Sequence, residues 1–204
     1  MKIGNRMTET AVFSTKNALL DSLVAEVIDG KAYYYKGYKN VLSGKLKHDD
    51  IMGASGLQGL IVGYLTRLLA ALDEDAFHIL PNETGIHLGN KDNLSGDILI
   101  FDASKPIVFD TYYVSRAPDI DIEVDVSIDL ENEDEKEYIF KKTQKLLHFG
   151  TEKVIWILTK PQKVLIATPL GDWQLISYDK DVEILRGITF NIAAYLKRKS
   201  HLLK

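Results

Sequence analysis

Ala117-Pro118-Asp119-Ile120-Asp121-Ile122-Glu123-Val124-Asp125-Val126-Ser127 is the stretch that decides how this chain is read. Successive residues of a strand point to opposite faces. Ile120, Ile122, Val124 and Val126 therefore share one face, and Asp119, Asp121, Glu123 and Asp125 share the other. The apolar face is an ordinary core face. The acidic face is not. Same-face neighbours on a strand stand roughly 6.5–7 Å apart, and no Lys or Arg lies among these four positions. Carboxylates held that close repel one another unless they face water or share a cation. One reading is a solvated face on an edge strand, where charge also discourages aggregation. The other is a site for a hard divalent metal.

The composition bounds the rest. The chain has 204 residues, 46% hydrophobic and 26% charged, which suits one globular domain with a sizeable core. We expect a tail and short helix over 1–25 and a single domain over 26–204. There is no cysteine, which removes disulfides, zinc–thiolate sites and thiol nucleophiles. The stretch Met1 to Phe13 has no long apolar run of the secretory kind. No segment reaches the roughly 18 apolar residues of a membrane helix, since Gln58, Arg67 and glycines interrupt Gly53 to Leu72. A cytoplasmic protein is expected. The net charge of −4 argues against a bulk electrostatic binder of nucleic acid, but not against an enzyme that touches phosphates locally.

Around the acidic stretch the pattern alternates between helix and strand. Residues 1–15 are mixed and polar, read as a tail. Thr15 to Val27 has helical spacing, and Asp29-Gly30 signals a turn. Lys31 to Lys36 reads as a strand whose tyrosines pack on a sheet face. Gly37 to Asp50 is polar and basic, read as a loop. Ser55 to Leu72 reads as the longest helix, capped by Ser55, with Gly56, Gly59 and Gly63 allowing close approach to a sheet. Phe77 to Leu80 is a short strand, and Pro81 to Leu94 a long connection. Gly96 to Asp102 is a nearly continuous apolar run, as expected of a strand covered on both faces. Ile107 to Val114 reads as a short strand or extended loop, and Asp129 to Glu137 as a solvated charge run. Lys136 to Phe149 reads as a helix closed by Gly150. Val154 to Leu158, Lys163 to Thr168 and Trp173 to Tyr178 are strands, the last two a hairpin. Thr189 to Lys199 is a closing helix. The order predicts an α/β or α+β fold, a mixed sheet flanked by helices.

Asp97 opens one buried strand, Glu123 lies mid-face on the next long one, and a lysine-rich helix follows. One Asp and one Glu on adjacent strands with a nearby Lys are the parts needed for metal-assisted phosphodiester hydrolysis. The carboxylates hold Mg²⁺ or Mn²⁺ through hard oxygens, and the lysine positions water or stabilises charge on the transition state.

Gly96-Asp97-Ile98-Leu99-Ile100, then Ala117 to Val124, Lys142 to Gly150 and Lys153 to Leu158 together resemble the Uma family of restriction endonucleases, within the PD-(D/E)XK nuclease superfamily. The likeness runs from about Glu26 to Tyr195. It implies a restriction-endonuclease-like core with DNA as the substrate. Asp97 matches the Asp of the family's second strand, and Glu123 the acidic residue of the third. The superfamily usually has Lys two places after that Glu. Here Asp125 stands there, and the resemblance transfers the role to Lys142 on the following helix. The metal shell it implies is Asp97, Glu123 and the Val124 backbone carbonyl, with Asp125 as a further ligand. A duplex has two strands, so a homodimer is the natural cutting unit.

The helical periodicity bears on Lys142. At about 100° per residue, the apolar stripe of its helix is Ile139, Phe140, Thr143, Leu146 and Leu147. Lys141 and Lys145 project away from it. Lys142 sits at its border, where it can either reach over the sheet edge to the carboxylates or snorkel to water. Asp121 is a second extra-ligand candidate. Gln58 and Glu26 border the site at most. His87 and His148 lack an i, i+4 partner for zinc. Gly85, Gly89 and Gly96 form no phosphate-binding fingerprint, and Ser14, Ser43, Ser55 and Ser127 lack a nucleophile-elbow context. Asp125 in the strand-lysine position keeps a rival open: a degenerate nuclease fold that binds nucleic acid or protein without cutting. A third reading, an acidic strand that merely faces water, predicts no response to divalent metal.

Overall fold

The computed structural model describes residues 18–127 and 133–203. The expected 1–15 tail, Ser14 and the first part of the 129–137 charge run lie outside the described residues. The acidic stretch forms β5 (Ile120–Asp125), in the middle of an eight-stranded sheet rather than at its edge. Its neighbours are β4 (Asn93–Asp102), antiparallel, and β6 (Lys153–Leu158), parallel. Two parallel neighbours need a crossover, usually a helix laid on one face of the sheet. That helix is α3 (Glu133–His148).

The rest of the sheet follows from hairpins. β1 (Val24–Ile28) and β2 (Lys31–Tyr34) pair around Asp29-Gly30. Both turn residues have positive φ, 53° and 76°, the two-residue turn whose twist suits a hairpin. The expected Thr15–Val27 helix is thereby corrected. Among the described residues helix covers 18–22, and the β-branched run from Val24 goes to the sheet instead. α1 (Tyr38–Leu42) and a 3₁₀ turn (His48–Asp50) occupy the stretch read as loop. α2 (Gly56–Leu69) is capped by Ser55, whose side chain accepts from Gln58 N–H at 3.1 Å. α3, with 16 residues against 14, is the longer helix. Gly150, at φ 110°, terminates it.

β3 (Phe77–His87) continues through the stretch read as a connection. Pro81 does not end it because Asn82 (φ 80°) and Glu83 (φ 51°) absorb a bulge and pairing with β4 resumes at Thr84. β7 (Lys163–Ala167) and β8 (Gln174–Ser177) are the expected hairpin. β9 (Val182–Leu185) and β10 (Ile188–Phe190) form a second small sheet around Arg186-Gly187. The expected Thr189–Lys199 helix shortens to α4 (Ile192–Arg198), capped by Asn191.

The architecture is α+β, a large, mostly antiparallel sheet between helices. One face carries Ile98, Ile100, Ile120, Ile122, Val124, Ile155 and Ile157 against Ile61, Leu65 and Leu69 of α2. The other carries Leu99, Phe101, Val154, Trp156 and Leu158 against Ile139 and Leu146 of α3. The α2 glycines do not serve this packing. They lie on its outward, exposed face, with no atom within 4 Å of an added Cβ. Among the described residues no helix is long and apolar enough to cross a membrane.

Candidate active site

The period-two reading places the acidic face of β5 under α3, not in water. Asp119, Asp121 and Glu123 are buried, so the solvated-face reading is corrected: the crossover helix covers that side. Each carboxylate then needs a partner. Asp119 has Lys105 and Arg116, and accepts from Asp102 N–H at 2.6 Å. Asp125 is half-buried, and its Oδ1 accepts from Ser127 N–H at 2.6 Å. Neither oxygen of Asp121, at 0% exposure, accepts from a fixed donor; the neighbouring carboxyl is Glu123, close enough to share a proton with it.

The strands part just above Asp121. The β4–β5 ladder stops at Ile98 and Ile122, and β1 touches the same edge of β4 only at Asn93. Leu94 and Leu99, five apart, both pack into the α3-side core. A regular pleat would put them on opposite faces, so the pleat breaks between them, at Ser95–Asp97. Side chains bond the backbone groups left open in this fork. Asp97 Oδ2 accepts from Val124 N–H at 2.7 Å, and Asp97 Oδ1 from Gln58 Nε2 at 3.0 Å. A strand residue sends its N–H and C=O to the same side, so the Val124 carbonyl opens towards β4 as well. Glu26, from β1, accepts from Ser95 N–H at 2.9 Å, and Lys142 Nζ donates to Ser95 O at 2.7 Å.

Lys142 does not sit at the border of its helix. It is buried, 2% exposed, with Nζ 2.7 Å from both Glu26 Oε1 and Glu123 Oε1 and flanked by the rings of Trp156 and Tyr138. The fork thus brings together Asp97, Glu123, Lys142, Gln58 and Val124. Asp125 stands at its margin. Glu26 and Tyr138, whose hydroxyl donates to Glu26 Oε2 at 2.7 Å, are central. Sequence reasoning gave Glu26 only a bordering place and did not select Tyr138. Glu26 reaches the site from 116 residues before Lys142 and 112 before Tyr138, whereas Tyr138 stands one helical turn before Lys142 on α3. The only local signal for Glu26 was a carboxylate at an otherwise apolar strand position. Surface clefts of about 690 Å³ along β3 and about 620 Å³ beside α3 lie elsewhere; Asp97, Glu123 and Lys142 line neither.

Charge is unbalanced here. Glu26, Asp97, Asp121 and Glu123 are four carboxylates within reach of a single ammonium. Burial pushes Asp121 up to about 7, against the pull of Lys142. It pushes Glu123 well above the ordinary carboxylate range, with Asp121 and Asp97 adding repulsion. Asp97 is raised by burial, partly offset by the Val124 N–H. Burial works against the Lys142 ammonium, but Glu123 and Glu26 hold it charged well above its ordinary range. The carboxyl of Glu83, on the β3 bulge, is raised by partial burial and by Asp97.

Hard oxygens and excess negative charge suit Mg²⁺ or Mn²⁺. Among the described residues no group of three His, Cys, Asp or Glu forms a metal cage. Mg²⁺ does not require one, since it is commonly held by one or two carboxylates and keeps several waters. Asp97, Glu123 and the Val124 carbonyl fit that pattern.

Gly96 is the tightest point of the fork. A Cβ there would lie 2.6 Å from Asp121 Oδ1 and 2.2 Å from Leu99 Cδ2. Gly96→Ala is expected to cost about 1–3 kcal/mol by overpacking, read by urea denaturation. An unchanged midpoint would contradict this packing.

Comparison with solved structures finds proteins of similar fold. Among them is a protein from Anabaena variabilis ATCC 29413 described as "a putative nuclease belonging to DUF820", the Uma2 family. The two align with a TM-score of 0.57 at 16% identity, over 78% of this chain and 80% of that one. The fold is nuclease-like. At that identity the likeness speaks for the fold alone. No family model matches the chain, and no curated protein does.

Proposed function

We propose that this chain is a divalent-metal-dependent endonuclease of the Uma type that hydrolyses phosphodiester bonds of DNA. The observation that carries this reading is the fork itself: one buried ammonium among four carboxylates, two of which share their opening with a backbone carbonyl. Asp97, Glu123 and the Val124 carbonyl would hold Mg²⁺ or Mn²⁺. When bound, the cation supplies a polarised phosphate oxygen and an acidified water.

The protein's own groups do the rest. Gln58 and Val124 N–H orient the Asp97 carboxylate. Lys142 keeps a positive charge beside Glu123, where it can orient a water and stabilise charge building on the phosphoryl oxygens. Trp156 and Tyr138 wall that ammonium from bulk water. Asp125 replaces the usual strand lysine, but the ammonium that position would supply arrives instead from α3. A homodimer, one fork per DNA strand, belongs to the same proposal.

The test is cleavage of plasmid and linear duplex DNA with Mn²⁺, with RNA of the same length in parallel. Asp97→Ala and Glu123→Ala are expected to abolish cutting while far-UV circular dichroism stays native. Lys142→Ala is expected to lose about 10²–10³-fold, the cost of one charge-stabilising group. Cleavage that survives both carboxylate substitutions would sink the reading.

A further inference from the structure

Lys142 has three N–H donors. Two make formed hydrogen bonds, to Glu26 Oε1 and to Ser95 O, each 2.7 Å. The third contact differs. Glu123 Oε1 is also 2.7 Å away, but off the direction of a formed hydrogen bond, and it has no other hydrogen-bond partner. The two carboxylates that share the ammonium are therefore not equivalent. Glu26 is fixed from every side: Oε1 also takes Ser95 N–H at 2.9 Å and Ser95 Oγ at 3.2 Å, and Oε2 takes the Tyr138 hydroxyl. Glu123 Oε1 has no such bracing, and its carboxyl lies beside that of Asp121.

Resting on the reading of Asp97 and Glu123 as the cation's ligands, we propose that Glu26 is a positioning residue. Braced by Tyr138 and Ser95, it anchors the Lys142 ammonium in the fork, so that Glu123 is free for the cation and one lysine donor is free for the substrate. Without Glu26, the remaining carboxylate partner of Lys142 is Glu123, and lysine and cation compete for the same oxygen. Placed on β1, outside the strands and helix that carry Asp97, Glu123 and Lys142, Glu26 acts through Lys142 and not on the substrate.

Two measurements on the full chain decide this. The first is ¹⁵N NMR of lysine ammonium groups without metal. Wild type and Glu83→Gln are expected to show one exchange-protected ammonium, assigned by its absence in Lys142→Met. It should vanish in Glu26→Gln and broaden in Tyr138→Phe, which removes only a neutral hydroxyl and serves if Glu26→Gln fails to fold. The second is Mn²⁺ calorimetry. Glu83→Gln reports the general effect of removing one nearby carboxylate. Glu26→Gln should weaken Mn²⁺ about tenfold more than that, the scale of an outer partner that orients a ligand. The excess should disappear in a Lys142→Met background. A protected ammonium that survives Glu26→Gln, or additive effects of the two substitutions, would overturn the proposal. Wild-type protein that binds no Mn²⁺ would overturn the cation reading, while the ammonium spectra would still decide the anchor.

Discussion

Lys142→Met is expected to lose about 3–5 kcal/mol of unfolding free energy at pH 8, the cost of stripping a buried charge of its partner. The substitution keeps the volume and apolar stem of the side chain, so little of the loss comes from packing. What remains is Glu26 and Glu123 buried without a cation, beside Asp97 and an Asp121 that no fixed donor serves. Glu123→Gln should behave in the opposite way. It leaves Lys142 its formed hydrogen bonds to Glu26 and Ser95 and removes one of four mutually repelling carboxylates. Its stability at pH 8 should match or exceed that of wild type, although the proposed activity is lost. Guanidinium denaturation of both variants at pH 8 and at pH 5 checks this. At pH 5 the Lys142→Met deficit should shrink, because the orphaned carboxyls take up protons in place of the ammonium. A Glu123→Gln protein as unstable as Lys142→Met would mean that Glu123 is there to hold the fold together, and the site reading would lose its physical basis.

The opposite signs expected of neighbouring residues mark where structural and chemical demands diverge. Lys142 serves the fold; Glu123 and Asp121 work against it. A core that tolerates such groups holds them for something other than stability, and that is the usual physical signature of a site.

How much of this was legible in the chain depends on which interactions are local. Period two named the two faces of β5, and its apolar half packs as expected. It could not say what covers the acidic half, because a periodicity identifies residues that share a face and not the element laid over it. That cover is α3, and its place follows from the parallel pairing of β5 with β6, which is a long-range fact. Lys142 looked like a border residue because its angle was measured against an apolar stripe. In the fold, the oxygens of Glu26, Glu123 and Ser95 draw the ammonium inward. β1 was read as helix because Leu19, Leu23 and Val27 keep helical spacing. The competing signal, β-branched residues running into Asp29-Gly30, was present. β3 was cut at Pro81 because proline usually ends a strand. Asn82 and Glu83 in left-handed conformations carry it past. β9 and β10 turn on Arg186 (φ 48°) and Gly187 (φ 79°), a two-residue hairpin without the usual Asn-Gly or Asp-Gly signal.

The metal-free protein should grow less stable as pH rises from 5 to 8, and divalent cation should reverse the trend by expelling protons. Unfolded, Asp121 has the ordinary carboxylate value near 3.9; folded, burial pushes it up to about 7. Between those values the folded state binds the extra proton. The unfolded state then holds fewer protons, so stability falls with pH by about 1.4 kcal/mol per unit. The loss starts as pH passes the unfolded value and levels off once it passes about 7. Glu123 and Asp97 are raised as well and add to the same slope. Asp121 and Glu123 lie close enough to share a proton, so the titration belongs to the cluster and not to one residue. The carboxylates with lowered values, Asp29, Asp102 and Glu137, act at lower pH, while Glu83, raised by partial burial and by Asp97, adds to the slope of the fork. A cation held by Asp97 and Glu123 must displace what the fork carries near neutrality. Mn²⁺ titrations in two buffers of different ionisation enthalpy should therefore report about one proton released at pH 6 and less at pH 8.5, with affinity rising about tenfold per pH unit per proton displaced. Asp121→Asn should flatten the stability slope and reduce the proton release. Buffer-independent heats together with a flat stability profile would mean that the carboxylates of the fork are already satisfied, and that no cation is needed to balance them.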